Sequence, residues 1–172
     1  GMSPFDAITH SFSTVSIGGF STHDSSMAYF NSPAVNLITV AFLLISACNY
    51  ALHFNAFSNL GKRNIFVSYF RDPEFRFFMF IQIALVTICF FMLLTNHHFD
   101  GTFKNLEQAA FQSVSISTTA GYTTSSFDQW PLFLPILLLF ASFIGGCAGS
   151  TGGGLKVVRM LVLSLQGKRE LK

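Results

Sequence analysis

The chain has 172 residues, 51% of them hydrophobic and only 10% charged, with a formal net charge of +2 and a mean hydropathy of +0.51. Soluble domains run near ~25% charged, so this chain cannot cover a water-facing surface; it reads as an all-α membrane protein, and so slight a net charge points to no nucleic acid. Cys48, Cys89 and Cys147 lie in apolar runs without metal-ligand spacing and read as small buried hydrophobes.

Gly1-Met2-Ser3-Pro4 lacks the basic opening of a signal peptide, and the chain is expected to begin in mid-architecture. The first element, about 5–16, is short, rich in Ser and Thr, and uncharged in its later half. Twelve residues of helix reach ~18 Å, well under the ~30 Å of a bilayer core. A short polar helix at that depth needs protein or a watery cavity around it. It runs into Ser16-Ile17-Gly18-Gly19-Phe20. No Asp, Glu, Lys or Arg occurs over 25–61, which predicts a spanning helix from Pro33 to about Phe57. Within it, 46–55 is polar but free of glycine, so no break is expected there. Asn49, His53 and Asn55 can hydrogen-bond across helices, and His53 can alternatively face a transport pathway.

Lys62, Arg63, Arg71 and Arg76 mark a basic linker over 58–76. A second span follows from Phe77 to about Thr95, inside the uncharged stretch 77–99. His97 and His98 read as a solvated loop with no partners for a metal. Next comes another short polar segment, 105–117, leading to Thr118-Thr119-Ala120-Gly121-Tyr122. A shift of 102 positions lays Ala7, Ser11, Ser13, Gly19 and Thr22 on Ala109, Ser113, Ser115, Gly121 and Thr124, and Phe20 on Tyr122. A small-Gly-aromatic turn after a half-length helix, twice in one apolar chain, is the form of an ion-selectivity filter. Glycine lets backbone carbonyls turn inward and replace an ion's water shell. The filter residues are then Ser16 to Phe20 and Thr118 to Tyr122, with the cation nearest Gly18, Gly19, Ala120 and Gly121. The aromatic residues would pack outward to fix the aperture. Neither turn contains a carboxylate. Asp24 and Asp128, just outside, read either as solvated loop or as collectors of cations at the mouth.

A third span starts at Pro131 in the uncharged stretch 129–155. It is interrupted by Gly145-Gly146-Cys147-Ala148-Gly149-Ser150-Thr151-Gly152-Gly153-Gly154. Six glycines in ten residues cannot hold a helix at ~1 kcal/mol each relative to Ala. The break falls within the bilayer, where unwound backbone must line a cavity or lie against protein. A mobile loop at that depth can gate a pore. A phosphate-binding loop is excluded by spacing, because Leu155 precedes Lys156 and Val157 follows it. Lys156 is expected to anchor the loop on an acidic group elsewhere.

Basic residues concentrate at 58–76 and at Lys168, Arg169 and Lys172, with Lys104 alone on the other side. The positive-inside rule puts the linker and the C-terminus in the cytoplasm and both Gly-aromatic turns toward the outside. The architecture expected is transmembrane helices with re-entrant pore helices in span–pore loop–span repeats. Residues 1–57 form the pore loop and last helix of one repeat, 58–76 a linker, and 77–172 a second repeat with a glycine-broken last helix. No nucleophile–base pair or paired carboxylates occur, so no enzyme activity is expected.

On these two turns and the 145–154 run, the chain resembles the Trk/Ktr/HKT superfamily of potassium transporters, most closely the TrkH/TrkG type. The resemblance covers essentially the whole chain. It implies a bacterial inner-membrane protein that takes up K+ through one pore built from four linked units. This chain would hold the later part of unit two and nearly all of unit three. It implies a gating loop at Gly145, Gly146, Gly149, Ser150, Thr151, Gly152, Gly153 and Gly154 with Lys156. It also implies a homodimer, and a cytoplasmic nucleotide-binding regulatory subunit of the TrkA/KtrA kind. Potassium is the transported ion, and no organic cofactor is implied. Sodium-permeable or Na/K-coupled passage, and a non-conducting assembly or regulatory module, remain the alternatives at this stage.

Overall fold

A computed structural model describes residues 1–58, 65–131 and 133–170, and the side chains of all of these except 65 and 66. Among them every regular element is helical. In chain order the α-helices are α1 (Pro4–Val15), α2 (Pro33–Ser46), α3 (Tyr50–Ser58), α4 (Ile65–Arg71), α5 (Pro73–Thr95), α6 (Thr102–Ser117), α7 (Leu134–Ala141) and α8 (Val157–Glu170), with short 3-10 helices at Ser26–Phe30 and Phe127–Gln129.

The helix ends follow from local chemistry. Ser3 caps α1 by accepting the N–H of Asp6, and Pro4 occupies the first turn, where its missing N–H costs nothing. Asp72 caps α5 in the same way, accepting from Phe75 at 2.8 Å, with Pro73 beside it. The 23 residues of α5 reach ~34 Å and form one helix long and apolar enough to cross a membrane. It starts four residues before the expected Phe77, because Asp72-Pro73 supplies a stronger start signal than the last charge does.

The expected continuous helix from Pro33 to about Phe57 is not one helix. It breaks after Ser46, and α2 and α3 meet at 90°. The break is therefore not confined to the glycine-rich segment, as the sequence suggests. Asn49 produces it: its side-chain oxygen accepts the N–H of Ala51 at 2.8 Å, and its carbonyl accepts from Leu52 and His53. An Asn that caps a new helix ends the old one as surely as glycine does. His53 stitches across the bend, with Nε2 2.9 Å from the Ile45 carbonyl and Nδ1 on the Tyr69 hydroxyl.

The third apolar segment also starts later than Pro131. Leu134 donates to the Pro131 carbonyl in a turn, and Pro135 takes the first-turn place. Its eight residues make ~12 Å of helix before the glycines intervene. Of the basic residues used for orientation, Lys62, Arg63 and Lys172 lie outside the described residues.

The packing centre is α6. Phe111, Gln112, Ser113, Ser115 and Ser117 on this short polar helix are fully buried, between α2, α5 and α7. The main apolar cluster surrounds it with Leu43, Ala47, Phe78, Val114, Tyr122 and Val157. Part of its polar surface is paired across helices: Ser117 donates to Gln82 of α5 at 2.9 Å, and Glu107 accepts from Asn36 of α2 at 2.7 Å, while Asn105 Oδ1 and Gln112 Oε1 are buried without a hydrogen-bond partner among the described residues. So polar a helix is tolerated at the centre of an apolar chain because protein surrounds it. By contrast, α1 exposes Phe5, Ile8 and Phe12 on one face.

Candidate functional site

Both short helices end in the same motif, bond for bond. In α1, Ile17 donates to Thr14 at 3.1 Å and Gly18 to Ser13 at 2.8 Å. In α6, Thr119 donates to Ile116 at 3.1 Å and Ala120 to Ser115 at 2.9 Å. Each of these residues lies 102 positions from its counterpart. This is a Schellman ending, whose turning residue is left-handed and usually glycine. Here it is Ile17 at φ +53° and Thr119 at φ +71°. β-Branched residues rarely adopt that conformation, which costs ~1–3 kcal/mol and persists where surrounding structure enforces it.

Two residues on, Gly19 and Gly121 are left-handed again at +69° and +83°, whereas Gly18, Phe20, Ala120 and Tyr122 are not. Each turn thus carries two left-handed residues separated by one that is not. Gly19 is required twice over: a Cβ there would stand 1.7 Å from the Ala120 carbonyl oxygen. The two turns thus touch at Gly19 and Ala120. Around Gly121 the space is open.

Tyr122 is fully buried, its hydroxyl 3.4 Å from Thr14 Oγ1 and 3.5 Å from the Phe20 carbonyl, so the second turn is wedged against the first short helix. Its counterpart Phe20 is 81% exposed and packs on nothing comparable. Ser16 bonds back to the Ser13 carbonyl. Thr118 bonds to the Val114 carbonyl at 2.7 Å. Asp24 and Asp128 are exposed, as are His97 and His98.

The glycine-rich segment lies directly against the inner ends of both turns. Thr151 donates to the Val15 carbonyl at 3.0 Å, and the Gly153 N–H donates to Thr119 Oγ1 at 2.8 Å. A Cβ on Gly152 would come within 3.0 Å of the Thr118 carbonyl and 3.4 Å of Ile17. The segment folds into a closed loop: Leu155 donates to Phe143 and Val157 to Gly146, while Gly145 and Gly154 cross backbone to backbone. Lys156 has no acidic partner among the described residues. Its ammonium is held by the loop's own Ser150 and Gly152 carbonyls and the Ser150 hydroxyl, because the left-handed turn at Lys156 folds its side chain back.

The loop's other side rests on two groups that sequence reasoning did not select. Glu74, at the start of α5, accepts the Ala148 N–H at 2.6 Å and is buried. The α2–α3 break docks there too: Cys147 donates to the Ala47 carbonyl at 2.8 Å, and Tyr50 to the Gly149 carbonyl at 3.3 Å. Glu74 reads in sequence as an ordinary first-turn acid. Its one signal is being the last carboxylate before an apolar run of span length.

Two turns of the same form, one at the end of each short helix, thus meet each other and the glycine loop. The TrkH family model, described as a cation transport protein, matches residues 1–172. The chain belongs to the TrkH family. It is 64% identical over its whole length to the Trk system potassium uptake protein TrkH of Vibrio parahaemolyticus. It is 60% identical to that of Salmonella typhimurium and 39% identical to TrkG of Escherichia coli. In each case it spans about a third of the relative, 35%, 35% and 34%. The crystal structure of the V. parahaemolyticus potassium transporter TrkH superposes on 99% of this chain and 36% of that one, with a TM-score of 0.93. The chain is thus an all-helical membrane protein of the TrkH family.

Proposed function

We propose that this chain supplies two of the filter segments and the gate of a Trk-type potassium uptake pore. The observation that carries the reading is the repeat of the strained turn: Ile17 and Gly19, and again Thr119 and Gly121, left-handed in alternation at the ends of two half-length helices. The carbonyls of residues 16–20 and 118–122 replace the water shell of K+, with Gly18, Gly19, Ala120 and Gly121 nearest the ion. The C-terminal ends of α1 and α6 turn the negative pole of each helix toward the cavity, which favours a cation there. Residues 145–154 with Lys156 form the gate. The ammonium of Lys156, kept in the loop by its own carbonyls, adds a positive charge that opposes cation passage while the loop is in place.

The remaining filter segments come from units outside this sequence, since two segments cannot encircle an ion. The repeat boundaries are 1–57 and 77–172, joined by the linker 58–76. Basic residues orient the linker to the cytoplasm and both turns to the outside of a bacterial inner membrane. A homodimer and a TrkA-like nucleotide-binding subunit complete the assembly. The relatives' common name, a Trk system potassium uptake protein, supports an assembly of several components.

The complete transporter carrying this segment should restore growth at low K+ to cells without their own potassium uptake. The same transporter with 145–154 intact but Gly19→Val should not, because the added Cβ collides with the Ala120 carbonyl. Growth on Gly19→Val equal to the parent would reject the pore reading.

A further inference from the structure

The segments that follow the two turns are not free loops. Thr22 donates its hydroxyl to the Asp6 carboxylate at 2.6 Å, and Thr124 donates to Gln108 Oε1 at 2.7 Å. Both donors and both acceptors are 102 residues apart, so this is one contact made twice. One helical turn further along each short helix stands a second polar side chain. His10 Nε2 lies 2.9 Å from the Ser21 hydroxyl, and Gln112 Nε2 donates to the Ser125 carbonyl at 2.9 Å. Positions 6 and 10, and 108 and 112, are i and i+4 neighbours on one helix face. All four side chains are buried. Each turn is therefore fixed at two ends: inward by its Schellman ending, outward by a two-rung ladder onto the helix that precedes it.

We infer that Asp6 and His10 with Thr22 and Ser21, and Gln108 and Gln112 with Thr124 and Ser125, form a brace that sets the aperture of each filter segment and so its K+ over Na+ discrimination. The inference rests on the pore reading above. Carbonyl dipoles discriminate between cations only if their spacing is held, and the strained residues Ile17 and Thr119 relax unless both ends are tied. The inner tie alone leaves the exposed Phe20 to swing with the outer limb, and leaves the limb beyond the buried Tyr122 unheld. The chemistry of the helix-side groups differs between units, a carboxylate and an imidazole in one and two amides in the other, while their positions coincide at an offset of 102; only the turn-side partners of the second rung, Ser21 and Ser125, depart from it. Coincidence of position with exchange of residue type marks a geometric role, since no single chemistry is shared.

The test uses the complete transporter in proteoliposomes, reading the K+/Na+ permeability ratio together with thermal unfolding. Thr22→Val and Thr124→Val keep volume and remove the hydroxyl, and should lower the ratio roughly threefold to tenfold, the worth of one hydrogen bond. Thr22→Ser and Thr124→Ser keep the donor and should restore the parent ratio. Thr95→Val, whose hydroxyl bonds only within its own helix end, is the control. Where the valine proteins do not accumulate, Thr22→Ala and Thr124→Ala take their place. A valine variant with lowered unfolding temperature and unchanged ratio, or a serine variant without rescue, overturns the brace. Gly121→Ser runs in parallel: if it moves the ratio and the valines do not, the brace is wrong and the pore stands; if neither moves it, the pore reading falls.

Discussion

The Glu74 carboxylate accepts the backbone N–H of Ala148 at 2.6 Å, linking the first turn of the long helix α5 to the glycine loop 74 residues later. A buried, charge-assisted bond to a main-chain donor holds the loop at one point without fixing its side chains. Together with the Cys147–Ala47 and Tyr50–Gly149 bonds, it makes a second footing for the loop, separate from the contacts under the two turns.

Glu74→Ala should therefore free the loop without touching the turns. Such a bond is worth ~1.5–3 kcal/mol, so the open fraction should rise by about tenfold or more at unchanged K+/Na+ ratio. Glu74→Gln retains the acceptor and should lie between Ala and the parent. Flux and selectivity measured on the same vesicles decide it; a changed ratio with unchanged flux would assign Glu74 to the filter.

Asn36 and Glu107 meet at 2.7 Å, both buried, where α2 crosses α6. Asn36→Leu leaves the carboxylate of Glu107 without its donor, at a cost of ~1–3 kcal/mol. The unfolding temperature of the solubilised transporter should fall, and Asn36→Gln should lower it less. An unchanged midpoint for Asn36→Leu would show that water or another group satisfies Glu107.

Much of this was readable from composition and spacing. The two short helices, the single long apolar helix and the helix break at 145–154 all stand in the structure where residue patterns put them. The readable signals were local ones: glycines, prolines, uncharged runs and the 102-residue offset. What escaped was set by partners far away in sequence. The break at 47–49 contains no glycine; Asn49 caps the new helix, and the freed Ala47 carbonyl finds its donor in Cys147. Lys156 was expected on an acid and instead closes its own loop, because a left-handed residue turns the side chain back. The late start of α7 follows from Pro135 outcompeting Pro131 for the first helical turn. Glu74 and the Asp6–Thr22 pair have no periodic signature, since each bond depends on how two elements pack.

Acid should act on the first brace and not on the second, whose Gln108 and Gln112 amides do not titrate. The Thr22 hydroxyl, then the Ser3 hydroxyl and His23, hold the Asp6 carboxyl down to about 2 from an ordinary value of 3.8, against the opposing effect of burial. A lowered value means that the folded state prefers the ionised form. Its stabilisation is present above pH 3.8 and is lost as the pH falls toward 2. Unfolding midpoints should hold from pH 7 to 5 on this account and drop between about 4 and 2, with Asp6→Asn removing part of that drop. A parent and Asp6→Asn protein with the same acid profile would contradict it.

Gly121 and Gly101 form a matched pair for the central claim. Both are left-handed, at φ +83° and +92°, and both have open space where a Cβ would go, yet only Gly121 lies in a turn proposed as filter. Serine at either position meets the same backbone strain. In the complete transporter, Gly121→Ser should lower the K+/Na+ permeability ratio by about tenfold, a difference of ~1.4 kcal/mol between the two ions, while Gly101→Ser leaves it unchanged. Equal ratios for the parent, Gly121→Ser and Gly101→Ser, measured on vesicles that still carry flux, would contradict the assignment of residues 118–122 to the filter.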